Sequence, residues 1–317
     1  MTVPIFAPSP APPVSVVIPA YNREGSIVAA IGSVLAQSFR DFELLVVDDG
    51  SRDGTLAAAR GVADPRLRVI AAAKNGGAAA ARNLGAAAAR GDWIAFQDSD
   101  DEWLPRKLEK QMARLAAPDP ASGAAWLGAY CGLLTLGWLD DRPGDRTRLR
   151  YVPDPAVTPA EGAILAPLLM GNMISTQTLV VRRDRFAALG GFDEATTPIE
   201  DWDFAIRLAA AGPIAFVDEP LVLQRFSPNS ITRDRTRALA STERVLAKNA
   251  EAFARHPRAL ARQALVVAGG HRRAGDLAAA RAWLARARRA DPTAARPWAM
   301  SAAVAALSLF PGSRRQP

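Results

Sequence analysis

The stretch VSVVIPAYNREGSIVAAIGSVLAQSFRDFELLVVDDGS, residues 14–51, decides the fold. VSVVIPA (14–20) is a short β-branched run set among prolines, the composition of a strand buried on both faces. GSIVAAIGSVLAQSF (25–39) then places Ile27, Ile31, Val34 and Leu35 at helical spacing. FELLVVDDGS (42–51) is a second buried-strand pattern and stops at Asp48-Asp49-Gly50. The unit continues outward. DGTLAAARGVA predicts a second helix, RLRVIAAA (66–73) a third strand, and NGGAAAARNLGAAAARG (75–91) an alanine-rich third helix. DWIAFQDSDD (92–101) predicts the fourth strand. Alternation of this kind implies an α/β fold on a parallel sheet with right-handed crossovers.

In such sheets ligands bind beyond the carboxyl ends of the strands. Three of the four strands run into candidate site residues there: Pro19-Ala20-Tyr21-Asn22, Asp48-Asp49, and Asp98-Ser99-Asp100-Asp101. A solvated turn is one reading of the last cluster. A site for a hard cation is the other, because Mg2+ and Mn2+ take oxygen ligands and Mg2+ is often held by one or two carboxylates plus substrate phosphates. In an extended segment residues i and i+2 share a face, so Asp98 and Asp100 are expected to address one ligand. Asp201-Trp202-Asp203 repeats the spacing, so spacing alone does not choose. Asp48-Asp49-Gly50-Ser51 reads equally as a turn or as a carboxylate offered to a base or ribose.

From residue 118 the pattern changes. AAWLGAYCGLLTLGWL (124–139) and RTRLRYVP (146–153) flank the turn-like DDRPGD and read as an antiparallel pair. A helix is expected over PAEGAILAPLLMGN (159–172), a strand over STQTLVVRR (175–183) and a short helix over DRFAALGGF (184–192). IEDWDFAIRLAAAG (199–212) carries acids in a first helical turn and a glycine stop, and PIAFVDEPLVLQRF returns as strand. Beyond about residue 240 the pattern is helical, and one stretch resembles a tetratricopeptide unit.

The bulk numbers bound the class. The chain has 317 residues, 49% apolar and 22% charged, enough for a large core with an appendage. Its single cysteine, Cys131, excludes an internal disulfide framework and fits a reducing compartment. MTVPIFAPSPAPPV lacks a basic region followed by an apolar one, so no signal peptide is expected. WAMSAAVAALSLFP (298–311) falls short of the roughly 18–20 apolar residues of a membrane span, though it suits contact with a bilayer or partner. Net charge is +7, with much of the excess arginine beyond residue 230. Neither zinc-finger spacing nor an aromatic RNA-binding motif accompanies it, so nucleic acid is not the expected partner. No G-x-G-x-x-G follows the first strand and no G-x-x-x-x-G-K-[ST] occurs, which disfavours a dinucleotide enzyme or a P-loop ATPase.

Taken together, VSVVIPAYNRE, DFELLVVDDGSRDGT, NGGAAAARNLGAAAARGDWIAFQDSDDEWLP, GGFDE and EDWDFAIRLAAAG resemble the family 2 glycosyltransferases of GT-A fold, over roughly residues 14–232. The resemblance implies an inverting, metal-dependent transfer of a single sugar from a nucleoside-diphosphate donor, a UDP-sugar foremost, to a hydroxyl acceptor. It places Pro19, Ala20, Tyr21, Asn22 and Glu24 beside the nucleotide, Asp49 on the base, Arg82 by the nucleotide and diphosphate, and Asp98 with Ser99 against ribose or donor sugar. Asp100, with Asp98, would hold Mg2+ or Mn2+. Asp201 would be the general base, and Glu200 would support it or touch the acceptor. A glycan or lipid-linked acceptor in cell-surface glycan or polysaccharide synthesis follows from the same source.

The organisation expected is a flexible segment 1–13, a GT-A domain 14–238 (nucleotide half 14–117, acceptor half 118–238) and a helical region 239–317. A cytoplasmic enzyme, with peripheral association at the inner face of a membrane, fits this composition. Relatives often carry a histidine in an R-x-H-x-x-S pattern where this chain has Ser227, which puts a third metal or phosphate ligand in doubt. The Q-x-x-R-W of processive synthases is absent. A non-catalytic nucleotide- or glycan-binding module remains the alternative of different class. A sugar-phosphate nucleotidyltransferase remains another, although its G-x-G-[ST]-R-like first loop is not PAYNREGS.

Overall fold

All seven residues of β1 (Val14–Ala20) are buried, and the strand lies between two parallel neighbours. The computed structural model describes residues 12–136, 149–153, 161–225 and 234–309. In chain order the first half comprises β1, α1 (Ile27–Leu35), β2 (Phe42–Asp48), α2 (Thr55–Arg60), β3 (Leu67–Ala71), α3 (Ala78–Ala88) and β4 (Trp93–Phe96). β1 pairs in parallel with β2 from Val14↔Phe42 to Ala20↔Asp48, and with β4 from Val14↔Trp93 to Val17↔Phe96. The order β3-β2-β1-β4 puts a topological switch point beside β1, the place where open α/β sheets bind ligands beyond the carboxyl ends of their strands. Pairing with β4 is over by Pro19, so its missing N–H costs no ladder bond on that side.

Alternate side chains of β1 feed two cores. Val17, with Leu45 and Val47, packs under α3, while Val14, Val16 and Ile18 pack against α1. The alanine-rich sequence of α3 follows from how close that helix lies: a Cβ on Gly85 would stand 2.4 Å from a Val17 methyl.

The second half completes a nine-stranded mixed sheet among the described residues. It adds β5 (Glu102–Trp103), α4 (Lys107–Ala116), β6 (Gly128–Leu136), β7 (Leu149–Val152), α5 (Leu165–Met170), β8 (Val180–Arg182), α6 (Arg183–Ala188), α7 (Glu200–Ala211) and β9 (Ile214–Arg225). β6 and β7 pair antiparallel, as the flanks of the expected hairpin should, while its turn lies outside the described residues. Three elements are shorter than their sequence patterns. The fourth strand stops at Phe96, because Asp98–Asp101 is a turn closed by Asp101 N–H to Asp98 O at 3.3 Å. The strand expected over 175–183 begins as a 3-10 turn, Thr176–Thr178. The helix expected over 159–172 starts only at Leu165, because Gly162 is bridged to Ile214. Pro167 then falls in the first turn, where a missing N–H loses no helical bond.

Five helices follow: α8 (Arg235–Lys248), α9 (Ala250–Arg255), α10 (Pro257–Ala274), α11 (Leu277–Ala290) and α12 (Ala295–Leu309). α8 straddles the expected boundary at 238/239, and the segments 1–11 and 226–233, which hold most of the expected N-terminal arm and Ser227, lie outside the described residues. The helices are docked on α5 and α7. Trp202, Ile206 and Leu169 share a core with Val245, Leu246, Phe253 and Val267. Gln263 Nε2 donates to the carbonyls of Leu169 and Met170, at 3.1 and 2.9 Å, closing the end of α5. Fully buried Asp203 accepts from Arg207 (2.7 Å), Lys248 (2.9 Å) and Asn249 (3.1 Å).

Truncating Asp203 leaves Arg207, Lys248 and Asn249 without their shared acceptor. Asp203→Ala is therefore expected to cost about 3 kcal/mol in urea unfolding and to speed proteolysis beyond Lys248. An unchanged midpoint would show that the network does not hold the helices on.

Candidate functional site

Two loops at the carboxyl end of the sheet are laced together. After β1, Asn22 takes a left-handed conformation (φ 52°), which asparagine tolerates better than most residues. Its N–H donates to Ser51 Oγ at 3.0 Å, and its Oδ1 accepts from Arg52 N–H at 2.9 Å. Arg23 N–H donates to Thr55 Oγ1 (2.6 Å), Glu24 N–H to Asp53 Oδ2 (3.2 Å), and Gly54 N–H to Glu24 Oε2 (3.1 Å). Glu24 is thus part of the lacing, and Tyr21 stands exposed beside it. Pro19 and Ala20 are buried in the strand itself. Asp49, buried at the end of β2, accepts from the N–H groups of Gly76 (2.9 Å) and Gly77 (2.7 Å), which fastens the entry of α3 to this strand.

The acidic turn after β4 separates into residues with different work. Asp101 is buried and accepts from Gln177 Nε2 at 3.0 Å, a structural contact. Ser99 is buried as well. Asp98 Oδ1 accepts from Arg82 at 2.6 Å, and Asp100 lies 3.4 Å from the Arg23 guanidinium. Burial, and next the Asp98 charge, push the Asp100 carboxyl above its ordinary range, with Arg23 opposing. Asp98 and Asp100 lie in a turn rather than along an extended strand, which corrects the geometry expected from i,i+2 spacing.

Arg82 joins this turn to a helix far along the chain. It is buried on α3, and its second nitrogen donates to Glu200 Oε1 at 2.7 Å. Burial alone would make the guanidinium easier to deprotonate, but Asp98 and then Glu200 outweigh it and raise its pKa. Asp201 follows in the first turn of α7, partly buried. Burial first, and the Glu200 charge second, push its carboxyl up to about 7, against the Trp202 N–H, Arg82 and Asn172. A carboxyl poised there exchanges a proton near neutrality, as a general base must.

The second D-x-D separates cleanly from the first: Asp203 points into the packing with α8 while Asp201 does not. Among the described residues no three His, Cys, Asp or Glu side chains gather as a metal site. Asp98 and Asp100 nonetheless suit a hard divalent cation. A carboxylate has about four lone-pair positions, so one guanidinium neighbour saturates neither, and the crowded charge that raises Asp100 is what a cation would relieve. Such an ion would draw its remaining ligands from a bound diphosphate.

Sequence reasoning missed two residues. Asn172, which hydrogen-bonds Asp201, sits just after α5, at the end of the stretch expected to be helical, and nothing in that pattern marks it as a site residue. Arg23 was passed over between Asn22 and Glu24, and only the chain's three-dimensional path sets it against Asp100.

The model of the family described as Glycosyl transferase family 2 matches residues 15–161. A Bacillus subtilis protein described as "Putative glycosyltransferase EpsE" is 43% identical over 206 residues, covering 63% of this chain and 68% of its own. The Escherichia coli UDP-Glc:alpha-D-GlcNAc-diphosphoundecaprenol beta-1,3-glucosyltransferase WfgD is 43% identical over 102 residues, 32% of this chain and 40% of that one. Among other curated relatives the chain spans 72% of one and about a third (34%) of two more. A mannosyltransferase of Pyrobaculum calidifontis, solved with GDP-Man and Mn2+, superposes with a TM-score of 0.59 at 22% identity, covering 96% of this chain and 84% of that one. The fold is GT-A.

A carboxyl-resolved NMR titration is expected to place Asp201 near pH 7. Glu200→Gln should lower that midpoint, since it removes a neighbouring negative charge. The sign for stability follows: the folded protein holds this proton more tightly than the unfolded chain, so ionisation costs stability as pH rises toward 7. Asp201→Asn should then raise Tm more at pH 8 than at pH 5. A midpoint near 4 would remove the basis for a poised base.

Proposed function

The chain belongs to glycosyl transferase family 2, and we propose that it moves a single sugar from a nucleoside-diphosphate donor to an acceptor hydroxyl with inversion. The observation that carries the reading is Asp201, a carboxyl raised to about 7 and joined through Glu200 and Arg82 to the Asp98–Asp100 turn. Asp201 takes the proton of the acceptor hydroxyl as its oxygen attacks the anomeric carbon. The bond from that carbon to the diphosphate oxygen breaks on the opposite side, and the nucleoside diphosphate departs. One base opposite the leaving group gives direct displacement, so no covalent enzyme intermediate is required. Holding donor and acceptor in line supplies the remaining acceleration.

Asp100, with Asp98, would hold Mg2+ or Mn2+, whose chemistry is to neutralise charge developing on the diphosphate. The Mn2+ in the Pyrobaculum structure favours a divalent cation as the partner of the donor. Asp49, Tyr21 and the laced loop carrying Asn22 and Glu24 would form the nucleoside wall. Arg82 serves as a strut that keeps Asp98 and Glu200 at fixed separation. The donor description of WfgD favours UDP-glucose or a related UDP-sugar, and its acceptor favours a lipid-linked glycan in polysaccharide assembly.

Calorimetric binding of UDP, GDP and dTDP, each with and without Mn2+, tests the donor site. One nucleotide is expected to bind only with metal, and Asp100→Ala to abolish that binding. Asp201→Asn should retain donor binding while turnover falls about 100- to 10,000-fold. Binding and function unaffected by Asp201→Asn would favour a non-catalytic nucleotide- or glycan-binding module.

A further inference from the structure

The helices from α8 to α12 carry an unusual charge. Residues 234–309 hold fourteen Lys and Arg against five Asp and Glu, a net +9 that exceeds the +7 of the whole chain. After Arg296, the remaining thirteen residues of α12 contain no charge at all. This helix is seated by one side only. Pro297 and Val304 are buried, Val304 against Ala268 and Leu284, with Met300 beside them. The opposite side presents Trp298, Ala299, Ala302 and Ala306, all exposed, with Trp298 at 54%. At about 100° per residue these positions fall on one strip. Two arginines border it: Arg288 stacks on the Trp298 ring at 4.9 Å and donates to Ser301 Oγ at 2.5 Å, and Arg296 is exposed in the helix's first turn; Arg289, next to Arg288 on α11, is exposed as well.

An apolar helix with one face on the protein and the other in water lacks a partner. We propose that this face docks on an anionic lipid bilayer, with α12 lying in the headgroup region. Trp298 would occupy the interface, where indole rings are favoured, and Arg288, Arg289 and Arg296 would meet lipid phosphates. Charge complementarity selects anionic lipid. The uncharged outer strip is what a nucleic-acid surface, which engages phosphates through continuous basic contacts, would not use. The surface is separate from the sugar-transfer site and does not depend on that reading.

The test is sedimentation of the full chain with vesicles of phosphatidylcholine, with and without phosphatidylglycerol, in the absence of any donor or acceptor. The wild type is expected to sediment with the anionic vesicles, less so at high salt, and to stay in solution with neutral ones. Arg288→Gln/Arg289→Gln/Arg296→Gln should weaken binding on the order of a hundredfold. Because that variant also loses the Arg288 stack, Ala302→Glu/Ala306→Glu gives a second reading. It alters only exposed positions, should keep the helical circular dichroism, and should abolish sedimentation. Binding to neither vesicle, equal binding to both, undiminished binding of the Ala302→Glu/Ala306→Glu variant, or capture by RNA in place of vesicles would each overturn the proposal.

Discussion

The site hangs on one guanidinium. Arg82 donates to Asp98 at 2.6 Å and to Glu200 at 2.7 Å, tying the end of β4 to the start of α7 across more than a hundred residues of chain. Two carboxylates and a third, Asp201, would repel one another there without it. A buried pair stripped of one partner typically costs several kcal/mol, so the arginine is needed for the acids to be close at all. Its placement depends on α3 lying close over the sheet, and the alanines and Gly85 of that helix permit the approach. The composition of α3 is thereby linked to the electrostatics of α7.

What the sequence disclosed and what it withheld follow from the range of the forces involved. β1 and β2 were readable because a strand buried on both faces is a nearly continuous apolar run, as VSVVIPA and FELLVV are, broken only by Ser15 and Glu43, which hydrogen-bond one another at 2.7 Å. The acids at the strand ends were readable because parallel topology gathers those ends. The partners of each acid were not. DSDD shows four residues of one polarity, and only tertiary structure assigns Asp98 to Arg82, Asp100 to Arg23 and Asp101 to Gln177. The two D-x-D motifs look alike on paper, yet one lies in a turn beside the crevice and the other turns its second acid into a helix interface. Asn172 could not be picked out because its contacts, with Asp201 and with the Ile174 N–H, are made from the loop that follows α5.

The C-terminal helices also bear on the site. Trp202, next in sequence to Asp201, has its indole N–H bonded to Leu168 O at 2.7 Å and its ring set at 76° to Phe253. One residue farther, Asp203 is held by Lys248 and Asn249. The turn that presents Asp201 is therefore backed by α8 and α9. The packing fixes the direction of the carboxyl as well as the stability of the helix that bears it. A region that reads as an appendage in the sequence is, in the structure, the wall behind Asp201.

The lacing of the two loops after β1 and β2 has a consequence for how this protein could change its preferences. Five hydrogen bonds run between residues 22–24 and 51–55. The wall we propose for the nucleoside is thus in place before a ligand arrives, so little binding free energy would go into ordering it. It also couples the two loops as objects of variation. A substitution in one that shifts its backbone strands donors and acceptors in the other, so a new base preference requires paired changes. Under the role proposed for these loops, recognition of the nucleoside would then evolve in steps of two.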